Sequence, residues 1–105
     1  MSIKMKKSSR TCDMRGMLSF QMLWLLSKKT MCGEELAEEL EKRRGAKPKA
    51  GTIYPALKEL KKSGFIDGKK SGKIITYALT KNGKQEVKRA KEYFVRSFKD
   101  ILLSD

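Results

Sequence analysis

Over residues 50–67 the apolar positions recur at a helical interval. Ile53, Leu57, Leu60 and Gly64 stand at i, i+4, i+7 and i+11, with Ala56 beside them. Gly51, Pro55, Lys58 and Lys62 point the opposite way, and Tyr54 and Lys61 share the flank between. The spacing predicts a helix over residues 50–63 that buries one stripe and offers a cationic face carrying one aromatic ring. Pro55 falls about one turn inside it and cannot donate to the Gly51 carbonyl, so an irregular first turn is expected. Ser63-Gly64 is a stop signal, and Phe65-Ile66 opens an apolar run that must leave in a new direction. An ordinary surface helix with solvated lysines would show the same wheel, and the pattern alone leaves both readings open.

Upstream, residues 14–28 predict a helix of a different kind. Leu18, Met22, Leu25 and Leu26 form one apolar face, while Met17, Phe20, Leu23 and Trp24 fill most of the others. A helix apolar nearly all round is buried on more than one side. Its two sides call for two partners, its own core and something outside it. Residues 30–44 read as a second helix on the stripe Leu36, Ala37 and Leu40. Its acids lie toward the N-terminal end and Lys42-Arg43-Arg44 toward the other, as the helix dipole favours, with Gly45 as its stop.

Downstream, residues 66–70 and 74–79 alternate as two strands around Ser71-Gly72-Lys73, a hairpin with Lys69, Lys70 and Lys73 at its tip. Lysines there also guard an exposed strand edge against aggregation. Thr80 caps a last helix that reaches Leu103, roughly 35 Å at 1.5 Å per residue. Val87, Ala90, Phe94, Phe98, Ile101 and Leu102 give it a coiled-coil-like seam too long for one small domain to cover. A second chain is expected on the surplus apolar surface of Phe20, Leu23, Trp24, Phe94, Phe98 and Ile101.

Composition sharpens this outline. The 105 residues suit one compact domain, and the net charge of +13 points to a polyanion, nucleic acid before an anionic membrane. Over residues 42–73 eleven basic residues face only Glu59 and Asp67, so most of the charge sits on the third helix, its approach and the hairpin. With no histidine, and with Cys12 and Cys32 outside any CxxC pair, catalytic triads and imidazole or four-cysteine metal sites are excluded. No nucleophile–base set or phosphate-cradling loop is present, so neither an enzyme nor a cofactor is expected. No signal-peptide pattern or roughly 20-residue apolar span is visible, and a cytoplasmic, reduced protein is expected, with no membrane partner.

Gly51-Thr52-Ile53-Tyr54-Pro55-Ala56-Leu57-Lys58-Glu59-Leu60, Gly64-Phe65-Ile66, then Tyr77-Ala78-Leu79-Thr80 with Gly83 resembles the signature of PadR-like winged-helix transcriptional regulators. Met14-Arg15-Gly16 and Gly33-Glu34-Glu35-Leu36 resemble that family's first two helix openings. Two departures stand out: Lys49-Ala50 replaces a frequent Ser-Pro helix start, and Ile74-Ile75 occupies wing positions where a basic residue is common. The resemblance implies a mostly α fold with a small β-hairpin wing, a winged helix-turn-helix with a long C-terminal dimerisation helix. On that reading residues 1–13 are a basic tail, 14–79 the DNA-binding domain and 80–105 the dimerisation helix. It also implies a homodimeric regulator, most often a repressor, that binds double-stranded DNA. The irregular end of the third helix would enter the major groove, with Thr52, Tyr54, Pro55 and Lys58 at base edges. Lys49, Lys69, Lys70 and Lys73, with Arg43 and Arg44, would meet phosphates. Some relatives sense a small-molecule effector at the dimer interface, where Trp24 would stack. A non-specific architectural nucleic-acid-binding protein would use the same charge without reading sequence.

Overall fold

The computed structural model of the chain describes residues 17–104. In order these form α1 (Leu18–Leu26), β1 (Met31–Cys32), α2 (Gly33–Arg44), α3 (Ala50–Lys62), β2 (Ile66–Ser71), β3 (Ile74–Leu79) and α4 (Lys81–Leu103). The expected basic tail, Cys12 and the start of the first helix at Met14 lie outside the described residues. A winged arrangement results: α1, α2 and α3 pack around one core, a three-stranded antiparallel sheet ordered β1-β3-β2 flanks it, and α4 leaves from the sheet.

α1 is shorter than its pattern suggested. Met17 takes a left-handed conformation (φ 58), which a helix cannot continue through, and the helix ends at Leu26. Much of its all-round apolar character is covered by its own chain, since α1 touches α2, α3, β3 and α4, while Phe20 and Trp24 stay half-buried. Leu18, Met22, Leu23, Leu25 and Leu26 are all buried. Leu23, expected at a subunit interface, is instead fully enclosed in the core and has no surface to offer a partner.

The helix expected from Thr30 begins only at Gly33, because Met31 and Cys32 extend and pair with Tyr77 and Thr76 of β3. The Glu35 carboxylate reaches back to accept the Cys32 N–H at 2.9 Å, closing the N-terminus of α2. Gly45, at φ 83, ends it.

α3 buries Ile53, Leu57 and Leu60 and continues unbroken through Pro55. Its first turn carries a tight bond from Thr52 N–H to the Lys49 carbonyl at 2.8 Å beside the regular one from Ile53 at 2.9 Å. At the other end Phe65 N–H donates to Leu60 and Gly64 N–H to Lys61, with Gly64 left-handed at φ 83. This pair of bonds reverses the chain into β2.

The β2–β3 register runs from Ile66↔Leu79 to Ser71↔Ile74, with Gly72 at φ 66 in the two-residue turn. Thr80 then joins helix to sheet. Its hydroxyl oxygen accepts from Gly83 N–H at 3.0 Å and its O–H donates to the Gly64 carbonyl at 2.6 Å, while its N–H donates to the Phe65 carbonyl at 3.0 Å. The start of α4 is thereby bolted to the end of α3. Gly83, Glu86, Val87 and Ala90 are buried, and no residue of α4 after Ala90 is.

Candidate nucleic-acid interface

Lys49 caps α3 in extended conformation, and Lys49, Thr52, Pro55 and Lys58 are exposed. Tyr54 is 49% exposed, but one side of its ring lies against α2. A Cβ on Gly33 would stand 2.6 Å from the Tyr54 hydroxyl and 2.8 Å from its Cε1, so only glycine lets the ring lie there. The ring therefore packs and remains accessible at once. Tyr77 is close by; burial pushes its phenol above the ordinary 10.0, and neighbouring Tyr54 adds to the effect.

Tyr54 stands between two shallow grooves. One, of about 270 Å³, runs from Cys32 and Gly33 past Tyr54 to Lys73, Ile74 and Tyr77, and so connects α3 to the hairpin. The other, of about 130 Å³, lies toward Glu34, Lys47 and Pro48.

The cations divide into engaged and available sets. Lys47 Nζ is bonded to Glu34 Oε2 at 2.6 Å, which holds its ammonium above the usual lysine range, with Glu38 and Glu41 contributing. That pair straps the α2–α3 linker to the first turn of α2. Arg43 bonds the Glu39 carbonyl and carboxylate at 2.9 and 3.0 Å, and Lys42 reaches the same carboxylate at 3.1 Å. The bonds from Lys42 and Arg43 hold the Glu39 carboxyl below the ordinary range. Arg44 bonds Gln21 of α1 at 2.8 Å. Arg44 on Gln21, and Arg43, which is bonded to Glu39 and lies over the Trp24 ring, thus turn toward α1 rather than standing free for the phosphates where they were expected. Lys49, Lys58, Lys69, Lys70 and Lys73 are exposed, on α3 and the hairpin.

The residues expected at a subunit interface are distributed unevenly. Phe20 of α1 and Phe94 and Phe98 of α4 are half-buried and form a ring ladder, with centroids 6.2 Å and 4.8 Å apart. Trp24 is half-buried beneath two cations, Lys28 Nζ at 5.0 Å and Arg43 at 5.5 Å. Ile101 is 68% exposed, and Leu102 and Leu103 more so. Leu23 is absent from this surface for the reason given above.

Sequence reasoning overlooked Gly33 as the seat of Tyr54 and Glu34 as the partner of Lys47. A glycine in the first turn of a helix, where it is a poor helix former, was the available signal. The Glu34–Lys47 pair spans thirteen positions and leaves no periodic trace.

A helix-turn-helix whose last helix exposes a cationic face beside a lysine-tipped hairpin defines a winged-helix protein. The sequence profile described as the transcriptional regulator PadR-like family matches residues 22–89, more than half of the chain, and the chain belongs to that family. Its backbone is similar to a transcriptional regulator from Clostridium thermocellum (25% identity, 83% of this chain and 88% of that one, TM-score 0.73). It is similar also to a PadR family transcription regulator from Clostridium difficile R20291 (25% identity, 83% and 98% covered, TM-score 0.66). The RosR of H. salinarum, in the complex hsRosR-S4, is 26% identical over 92% of this chain and 81% of that one, with a TM-score of 0.74. No curated protein matches the chain. Among the described residues no helix is long and apolar enough to cross a membrane.

The hairpin lysines yield a first expected result. Replacing Lys69, Lys70 and Lys73 together with Ala should weaken binding to every duplex alike. It should also flatten the log–log salt dependence by about one unit per lost phosphate contact. Unchanged affinity and slope would make the tip a solvated strand edge only.

Proposed function

We propose that the chain is a sequence-specific, double-stranded-DNA-binding transcriptional repressor that acts as a cytoplasmic homodimer. The observation that carries this reading is the groove joining Tyr54 on α3 to Lys73 and Ile74 on the hairpin. The groove brings the reading helix and the basic wing onto one surface. Thr52, Tyr54, Pro55 and Lys58 face base edges; Lys49 and the wing lysines face phosphates; repression follows from occupying the operator. The exposed seam of α4 with Phe20, Trp24, Phe94, Phe98 and Ile101 supplies the partner surface. An effector that stacked on Trp24 would have to displace Lys28 and Arg43 from its ring.

The test is a Tyr54 series measured by fluorescence anisotropy at one salt concentration, on a duplex enriched by the protein from a random pool. Tyr54→Phe should cost on the order of 1 kcal/mol in binding to that duplex, with little change in melting temperature. Tyr54→Ala should cost more and narrow the gap between the enriched duplex and random DNA. Lys58→Ala should also lower affinity. A Tyr54→Ala protein that melts early yet keeps its sequence preference would reduce the ring to its packing on Gly33. Equal affinity of the native protein for all duplexes would mark a non-specific architectural binder instead.

A further inference from the structure

The wing carries an apolar side chain where charge would be expected. Ile74 is 58% exposed at the hairpin tip, the first paired residue after the turn, opposite Ser71. Lys73 precedes it, and Lys69 and Lys70 lie on the neighbouring strand. β3 is the central strand, but β1 pairs only with Thr76 and Tyr77, so beside Ile74 and Ile75 that edge of β3 has no strand partner. Tyr77, the nearest buried residue on β3, comes three positions later; at ~3.3 Å per residue Ile74 stands roughly 10 Å beyond it toward the tip. The groove it lines leads directly to Tyr54.

We propose that Ile74 is a minor-groove wedge that makes this protein select a deformable base-pair step beside the sequence read by α3. The proposal rests on the DNA-binding reading above and adds to it a residue that sets specificity. The B-DNA minor groove is ~6 Å wide and ~7.5 Å deep, so one β-branched side chain fits between its walls, and the two-stranded hairpin behind it follows only where the duplex opens the groove. Lys73, Lys69 and Lys70 flank it, placed for the phosphate walls, and this charge complementarity singles out a duplex as the occupant. An isoleucine neither donates nor accepts hydrogen bonds, so it cannot tell the bases apart by their edges. It can displace water and press between neighbouring pairs, and that costs least at pyrimidine–purine steps, which unstack most readily. Selection at this position is therefore by stiffness.

The experiment compares the native chain with Ile74→Ser and Ile74→Lys by selection from a random pool of 40-base-pair duplexes. A second measurement follows the fluorescence of 2-aminopurine placed at the enriched step. The native protein should enrich a TA or CA/TG step at a fixed offset from its main site, preferring it about tenfold over a G·C step. It should also raise 2-aminopurine emission. Both variants should keep the main site and lose the step preference, and Ile74→Ser should leave the emission unchanged. Since Ile74 is outside the core, thermal melts of both variants should match the native protein. A native protein that enriches a main site with no flanking step overturns the wedge and leaves the DNA-reading proposal standing. If no sequence is enriched at all, both fall. Weakened self-association in Ile74→Ser would place the residue at a contact between copies and would likewise overturn the wedge.

Discussion

Gly83→Ala should cost about 3 kcal/mol of folding stability although alanine is the better helix former by ~1 kcal/mol. A Cβ at this position would lie 2.0 Å from the Phe65 carbonyl oxygen and 2.9 Å from Leu79 Cδ2. The nearest obstacle is backbone and cannot rotate away. That same carbonyl accepts the Thr80 N–H, so backing α4 off to make room also strains the bonds from Thr80 to Phe65 and Gly64. Urea unfolding should show a lower midpoint with an unchanged slope. Thr80→Ser, which keeps the capping hydroxyl, should lose much less. If Gly83→Ala melted with the native protein, the close approach of α4 to the end of α3 would not be a tight constraint.

The second large effect is expected from Phe94→Ala combined with Phe98→Ala. These rings continue the ladder begun by Phe20, so their removal strips packing from the α1–α4 contact within one chain. Fully buried phenylalanines cost 3–5 kcal/mol each; for two half-buried rings about 4 kcal/mol in total is expected. If a second copy lies on this surface, folding and association are linked, and the loss should grow as protein concentration falls. Ile101→Ser separates the two contributions, because Ile101 is 68% exposed and supports no core. It should weaken association in sedimentation equilibrium and leave the stability of the monomer unchanged. A native chain that sediments as a monomer, with a melt independent of concentration, would remove the partner from the account.

What was legible in the sequence was whatever repeats or punctuates locally. The stripe Ile53–Leu57–Leu60 has a period and Thr80 is a cap, and both appear where their residues placed them; the turn read at Ser71-Gly72-Lys73 is there too, but tightened to Gly72-Lys73 because Ser71 pairs with Ile74. What was illegible depended on direction or distance. α1 is apolar all round, and a wheel without a polar side cannot say which neighbours cover it; four elements of its own chain do, Leu23 included. β1 has two residues and exists only through its pairing with β3, more than forty positions later. At the candidate site the exposed face of α3 was readable from its lysines, whereas the seating of Tyr54 on Gly33 and the turning of Arg43 and Arg44 toward Trp24 and Gln21 of α1 are tertiary choices.

The two bonds from Thr80 to the Gly64 and Phe65 carbonyls have a further consequence for a pair of such chains. They tie the helix that would join two copies to the end of the helix that would read bases, so the pair would behave as a rigid caliper. The gap between its two jaws would then belong to the protein, and an operator would have to match it. Half-sites one helical turn apart, ~34–36 Å or a multiple of it, fit such an instrument. One inserted base pair would turn a half-site by ~35° away from its jaw, and neither jaw could swing to follow it.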